Sequence, residues 1–188
     1  MSWVKESDAE KELEKEELLA ESEISLILDS YDDIFSDFDP RPFAHRALSD
    51  DFLLEAKRAA RDKQGSLELR FLIPKNERKL DAETIIKGRL REHFKRHYDL
   101  LKIEVAQTRK KGWLMALVGI ICIIFASYLL SLDMDTFLIH LLIVILEPAG
   151  WFTAWTGLDE IYYTVNQKKP DLDFYQKMMH SGIIFVSY

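Results

Sequence analysis

Cysteine and glycine are scarce in this 188-residue chain, and their scarcity excludes several classes of protein. The one cysteine, Cys122, has no second thiol to pair with, so the chain is not a disulfide-stapled scaffold. The seven glycines are dispersed, and none belongs to a cluster that could cradle phosphate in a P-loop or a dinucleotide site. A nucleophile elbow and an HExxH zinc motif are also missing. We therefore expect neither an enzyme nor a resident cofactor or metal.

What the chain does contain is an apolar segment, Gly112 to Leu132, without a charged residue. A helix of this length is about long enough to cross the ~30 Å hydrocarbon core of a bilayer. A second apolar segment, Phe137 to Trp155, follows after a very short loop. The pattern predicts a multi-pass membrane protein built on a two-helix transmembrane hairpin, with helices over residues 112–132 and 136–157.

Charge is distributed unevenly along the sequence. Residues 1–39 carry 14 acidic and three basic side chains, whereas residues 40–111 carry 19 basic and 11 acidic ones. This asymmetry is typical of an acidic tail followed by a basic segment close to a membrane surface. We therefore divide the part before the hairpin into an acidic tail and linker, residues 1–43, and a helix–strand–long helix segment, residues 44–111.

The segments on the two sides of the hairpin are predicted to form one small α+β domain. Before the hairpin, the pattern predicts a helix from Ser49 to near Gly65, a strand at Leu67–Ile73 and a long helix from Asp81 that can run into the first span. After it, residues 158–188 hold a helix and a β-prone end, Ile183–Tyr188. Since isolated strands are unstable, we expect Ile183–Tyr188 to pair with Leu67–Ile73. The fold class is thus an α+β membrane protein with a small cytoplasmic domain.

Basic residues predict the orientation. Seven Lys or Arg side chains lie between Arg91 and Lys111, whereas the hairpin loop Asp133–Asp135 has none. The positive-inside bias therefore predicts that the protein lies in the inner or plasma membrane of the cell with both termini in the cytoplasm. Anionic headgroups near the first span explain the basic run more simply than nucleic acid does. In this orientation we expect contacts with lipid headgroups at Arg109, Lys110 and Lys111. We expect interfacial anchors at Trp113, Trp151 and Trp155.

The hairpin carries two polar side chains at membrane depth. Glu147 lies about halfway along the second span, and His140, seven residues earlier, falls on roughly the same helical face. One reading is a proton or ion path. The other reading is a neutral or hydrogen-bonded Glu147, which pairs either across an oligomer interface or with amides freed by a break at Pro148. A further alternative is a re-entrant span, in which Glu147 lies at the level of the headgroups.

Two further patterns leave alternatives open. His93 and His97 have the spacing at which two imidazoles on one helical face could hold a metal, although two exposed or lipid-proximal histidines are the simpler account. Residues 29–43 carry large apolar side chains among aspartates, namely Tyr31, Ile34, Phe35 and Phe38. These could dock on a cytoplasmic partner or cover the protein's own domain, and the second is favoured because large apolar side chains usually join a core.

The end of the second span resembles a motif of uncharacterised prokaryotic two-span membrane proteins. The motif has an acid, then Gly-Trp, an alanine, a second Trp, an acid and a Tyr, and here it extends from Glu147 to Tyr163. The resemblance covers roughly residues 67–188 and implies two spans but no assigned activity. Thr156-Gly157 stand where other members often carry Arg-Pro, so the acids Asp159 and Glu160 need a different partner in this chain.

These features lead to two hypotheses. The first is a membrane-anchored interaction or scaffold protein, homo-oligomeric, which presents a small cytoplasmic domain and an acidic tail to a partner. The second is a subunit of a small oligomeric ion or proton pore with Glu147 in the membrane. A pore needs several copies because two helices cannot enclose a water-filled lumen.

Overall fold

The computed structural model describes residues 24–61, 63, 67–132 and 134–188. It divides into two compact units. The sheet unit contains residues up to Tyr98 together with Asp173–Tyr188, and the hairpin unit contains Asp99–Leu172. The predicted acidic tail up to residue 23 lies outside the described residues.

A three-stranded parallel sheet organises the sheet unit. Its strands are β1 (Ile24–Ile27), β2 (Glu68–Ile73) and β3 (Gly182–Ser187), in the order β1-β2-β3. The predicted pairing of the two strands that flank the hairpin is confirmed, with Leu69 opposite Ile183. The third strand was not expected, because Ile24–Ile27 belongs to the stretch that we assigned to an acidic tail and linker. Its four residues pair along the free edge of β2, where tertiary pairing overrides the helix-favouring composition around them.

Helices cover one face of the sheet with a continuous core. α1 (Asp50–Arg61), the first turns of α2 (Leu80–Ser131) and the end of α4 (Val165–His180) supply its buried residues. At its centre the rings of Phe71 and Phe185 stack at 5.1 Å between centroids. The residues that α2 and α4 contribute to this core include Ile86, Leu90, Phe94, Phe174 and Met178. A single core therefore contains residues from both sides of the hairpin.

The segment expected to be a linker is part of this core. A short 3-10 helix, Tyr31–Ile34, begins after Ser30, whose hydroxyl caps it. Tyr31, Ile34 and Phe35 are buried, so the structure favours the protein's own domain as their partner, whereas Phe38 is 97% exposed.

A buried hydrogen-bond network fixes Tyr31 to α2. Its hydroxyl donates to Glu83 Oε1 at 3.1 Å and accepts from the Lys79 amide at 2.9 Å. Arg78 donates to both Glu83 oxygens, at 2.8 and 2.9 Å. Burial alone would raise the pKa of Glu83, but these hydrogen bonds hold that pKa below its ordinary value.

The hairpin unit is helical. α2 runs without a break from Leu80 to Ser131, and α3 (Phe137–Asp159) is followed by a π-helical segment, Glu160–Thr164, and by α4. α3 continues through Pro148, which contradicts the alternative in which a break there frees amides for Glu147. Both long helices are apolar and long enough to cross a membrane, and only 17% and 6% of their most apolar 18-residue stretches are buried. A core helix of a soluble protein would be mostly buried at such a stretch.

Candidate functional site

Small residues form the contact between α2 and α3. Three of them on each helix, spaced by four and then three positions, are buried against the other helix. They are Gly112, Ala116 and Gly119 on α2, and Gly150, Ala154 and Gly157 on α3. Such spacing places small residues on one helical face, where they allow two backbones to approach closely in lipid.

The fit leaves no room for a side chain. A Cβ atom added to Gly119 would lie 2.3 Å from the Ala154 backbone nitrogen, and one added to Gly157 would lie 2.4 Å from the Ala116 backbone nitrogen. The small-residue face of α2 therefore receives α3 of the same chain.

We expect Gly119→Ala to destabilise the hairpin by about 1–3 kcal/mol, because overpacking forces the two backbones apart. The matched control is Gly88→Ala in the same helix, where an added Cβ meets nothing within 4 Å. That control should leave stability unchanged or raise it by up to about 1 kcal/mol through helix propensity. Unfolding of both variants in detergent micelles measures the difference, and equal stabilities would contradict the packing argument.

The two polar side chains of the second span lie on the outside of the hairpin. Glu147 and His140 are both exposed, and neither inserts between α2 and α3. The His140 Nδ1–H donates to the Thr136 carbonyl oxygen at 3.2 Å, whereas the Glu147 carboxylate has no hydrogen-bond or ion-pair partner among the described residues. The structure therefore brings neither residue to a polar seam within one copy of the chain.

The expected anchors are on the surface of the hairpin unit. Trp113, Trp151 and Trp155 are each about 60–70% exposed, as side chains at a membrane interface would be. Arg109, Lys110 and Lys111 are exposed as well. Lys111 also has a protein partner, since its Nζ donates to Glu160 Oε1 at 3.1 Å.

Two ion pairs connect α2 with the chain beyond α3. Lys111 pairs with Glu160, and Lys168 pairs with Glu104 at 2.6 Å. The hydrogen bond from Lys111 lowers the pKa of Glu160. Glu160 is therefore paired within the chain. Sequence reasoning missed these pairs because 49 and 64 residues separate the partners, although an antiparallel hairpin register would have suggested them.

The Glu160 pair coincides with a change in helix geometry. The Val165 amide donates to the Glu160 carbonyl oxygen five residues earlier, which defines a π-helical turn. Such turns are uncommon and are often found at functional sites.

His93 and His97 form an aromatic stack with Tyr175 in the sheet unit. The two imidazole centroids are 4.0 Å apart, and the Tyr175 ring stacks on His97 at 5.3 Å. The His97 Nδ1–H donates to the His93 carbonyl oxygen at 2.9 Å, and His93 Nε2 is buried without a hydrogen-bond partner. His93 is therefore a buried side chain rather than the exposed or lipid-proximal one that we expected.

The surroundings of His93 favour its neutral form. Burial lowers the pKa of His93 to about 4, with further lowering by His97, Arg89 and Arg96. The unfolded chain binds a proton at His93 more tightly than the folded chain does. His93 therefore lowers the free energy of unfolding as the pH falls from about 6.5 to about 4, and below pH 4 this loss stays constant.

We expect His93→Phe to remove this part of the acid sensitivity. Thermal unfolding of wild type and variant in detergent, compared at pH 7.5 and pH 4.5, should show a stability difference that changes by roughly 1–2 kcal/mol in favour of the variant at low pH. Carboxylates also titrate there, so the difference between the two proteins is the relevant quantity. A difference independent of pH would contradict the assignment.

Metal binding by the two histidines gains no further ligands from the fold. Within residues 24–61, 63, 67–132 and 134–188, no group of three or more His, Cys, Asp or Glu side chains could hold a metal ion.

Comparisons of the chain with protein-family models, with curated proteins and with solved structures found no match.

Proposed function

We propose that the chain is a membrane-anchored interaction protein that presents its sheet unit to a partner on the cytoplasmic side. The observation that supports this most is the pairing of β2 with β3. β2 precedes both apolar helices and β3 follows them, so hydrogen bonding between these strands requires both flanks of the hairpin to lie on one side of the membrane. Two crossings satisfy this requirement.

The choice of side rests on charge. The basic residues before the first span, including Arg109 and Lys110, contrast with the hairpin loop, which has no Lys or Arg. By the positive-inside rule both termini are then cytoplasmic, in an inner or plasma membrane, with the basic residues at anionic headgroups.

The docking surface of residues 29–43 is smaller than the sequence indicated. Tyr31, Ile34 and Phe35 belong to the core, which leaves Phe38 as the large apolar side chain exposed to a partner. It follows Asp37 and precedes Asp39, so a partner with an apolar pocket rimmed by basic groups would fit it. Deleting residues 1–43 would remove β1 and Tyr31 and unfold the unit, so a test must leave these in place.

Cysteine accessibility tests topology and docking together. In a Cys122→Ser background, we expect Asp135→Cys to react with a membrane-impermeant maleimide in intact cells. Phe38→Cys and the control Leu80→Cys should react only after permeabilisation, since they lie on the cytoplasmic side. If a partner covers Phe38, its cysteine should also react several-fold more slowly in permeabilised cells than in the purified protein.

The control distinguishes the two conclusions. Leu80 is 73% exposed in the same unit, so its cysteine should react at equal rates in both preparations. Labelling of Phe38→Cys in intact cells would contradict the orientation. Equal rates in permeabilised cells and in purified protein would contradict docking at Phe38.

The exposure of Glu147 favours a second candidate, a subunit of an oligomeric ion or proton pore. An acid on the outer surface of a two-helix hairpin can line a lumen only if several copies surround it. We then expect Glu147→Gln to abolish proton flux into liposomes, with His180→Gln, a polar change outside the apolar spans, as the matched control. Equal flux in wild type and Glu147→Gln would exclude the pore. Native mass spectrometry of the nanodisc-embedded protein measures whether enough copies associate to surround a lumen.

A further inference from the structure

A cavity of about 470 Å³ lies in the sheet unit between a loop and α2. Its charged lining consists of three guanidinium groups, one imidazole and one carboxylate. The residues are Arg41, His45, Arg89, Arg96 and Glu92. We propose that this cavity binds a phosphate group, carried by a soluble small molecule or by the headgroup of an anionic lipid.

The loop side of the cavity is held in place by Asp39. Its carboxylate accepts the Ala47 amide at 2.7 Å and the Arg41 amide at 3.1 Å. It also accepts from Arg41 Nε at 2.9 Å and Nη2 at 2.7 Å, which orients the guanidinium. The His45 amide donates to the Pro42 carbonyl oxygen at 2.9 Å. These bonds preorganise the loop, and preorganisation lowers the entropic cost of binding.

The helix side presents two arginines on one face of α2. Arg89 and Arg96 are seven residues apart, and Arg89 Nε donates to the Arg46 carbonyl oxygen at 3.0 Å, which joins the helix to the loop. Glu92 lies between them and is 3.8 Å from Arg89 Nη1. Arg96 has no ion-pair partner among the described residues.

The lining carries three arginines against one carboxylate, and Arg41 is already paired with Asp39. One net positive charge therefore remains in the group of Arg89, Arg96 and Glu92, and a bound anion offsets it. Arg89 and Arg96 also contribute, after burial and His97, to the low pKa of His93. Guanidinium groups bind phosphate with two parallel hydrogen bonds, which suits a phosphate better than a single chloride ion. The volume is within the range of small-molecule sites, so the group that carries the phosphate also has room.

The test uses the full chain in phosphatidylcholine nanodiscs, titrated with glycerol 3-phosphate by calorimetry. We expect saturable binding that Arg96→Ala weakens about tenfold, the usual effect of losing a charge-assisted hydrogen bond. The matched control is Arg91→Ala, an exposed arginine of the same helix that does not line the cavity. Both arginines are exposed and differ in whether they line the cavity, so Arg91→Ala should change the Kd by less than about twofold.

A second variant tests the same site without removing a binding group. Glu92→Gln removes the carboxylate that repels an anion, and its side chain is 68% exposed, so the fold should tolerate it. We expect it to tighten binding. The absence of saturable binding, an equal loss in Arg91→Ala, or no effect of Glu92→Gln would each overturn the proposal.

Nanodiscs that contain phosphatidic acid distinguish the two sources of phosphate. If the lipid headgroup reaches the cavity, the apparent Kd for glycerol 3-phosphate should rise in these discs through competition, and Arg96→Ala should abolish the rise. An unchanged Kd identifies a soluble ligand. Both results support a phosphate site, and neither depends on the orientation or the partner proposed above.

Discussion

Six paired positions of parallel sheet join β2, which precedes both long helices, to β3, which follows them. The core depends on this pairing, because Phe71 of β2 and Phe185 of β3 stack at its centre and residues of α2 and α4 pack around them. Parallel strands need a long crossover connection, and here the crossover includes the whole hairpin unit. The chain therefore cannot complete its small domain until both apolar helices have been made.

The two long helices contact each other through small residues, whereas the sheet unit packs large apolar side chains. Close backbone packing of this kind is what associates helices in lipid, where apolar side chains gain nothing by leaving their surroundings. The glycines of α2 and α3 provide it, and the large side chains, including Trp113 and Trp151, remain on the outer surface. This also explains part of the motif at the end of the second span: its glycine and alanine are packing residues, and its tryptophans are surface residues.

The sequence was most informative where the physical signal was local or periodic. The charge-free run, the alternation of Leu67–Ile73 and the β-prone end predicted two apolar helices and the β2–β3 pair. β1 was missed because Ile24–Ile27 is four residues long and is preceded by an acidic stretch whose composition favours helix. The alternative of a break at Pro148 was wrong because a proline removes one hydrogen bond from a helix of 23 residues and leaves the others in place.

The candidate sites were harder to predict because their members are distant in sequence. Tyr31 and Glu83 meet across 52 positions, and the cavity near Arg96 combines a proline-containing loop with a helix that begins some 40 residues later. No spacing rule joins such residues. Residue type alone correctly indicated that Tyr31 would join a core, but it predicted the same for Phe38, which is exposed.

The position of Glu147 bears on whether several copies of the chain associate. Two ion pairs of the hairpin unit, Lys111–Glu160 and Lys168–Glu104, form within the chain, whereas Glu147 lies on an apolar surface. An ionised carboxylate at membrane depth costs several kcal/mol unless it is paired, so in a bilayer a second copy that donates a hydrogen bond to Glu147 would offset this cost. The exposure of this one side chain therefore argues for association between copies, whether the protein serves as an anchor or as a pore.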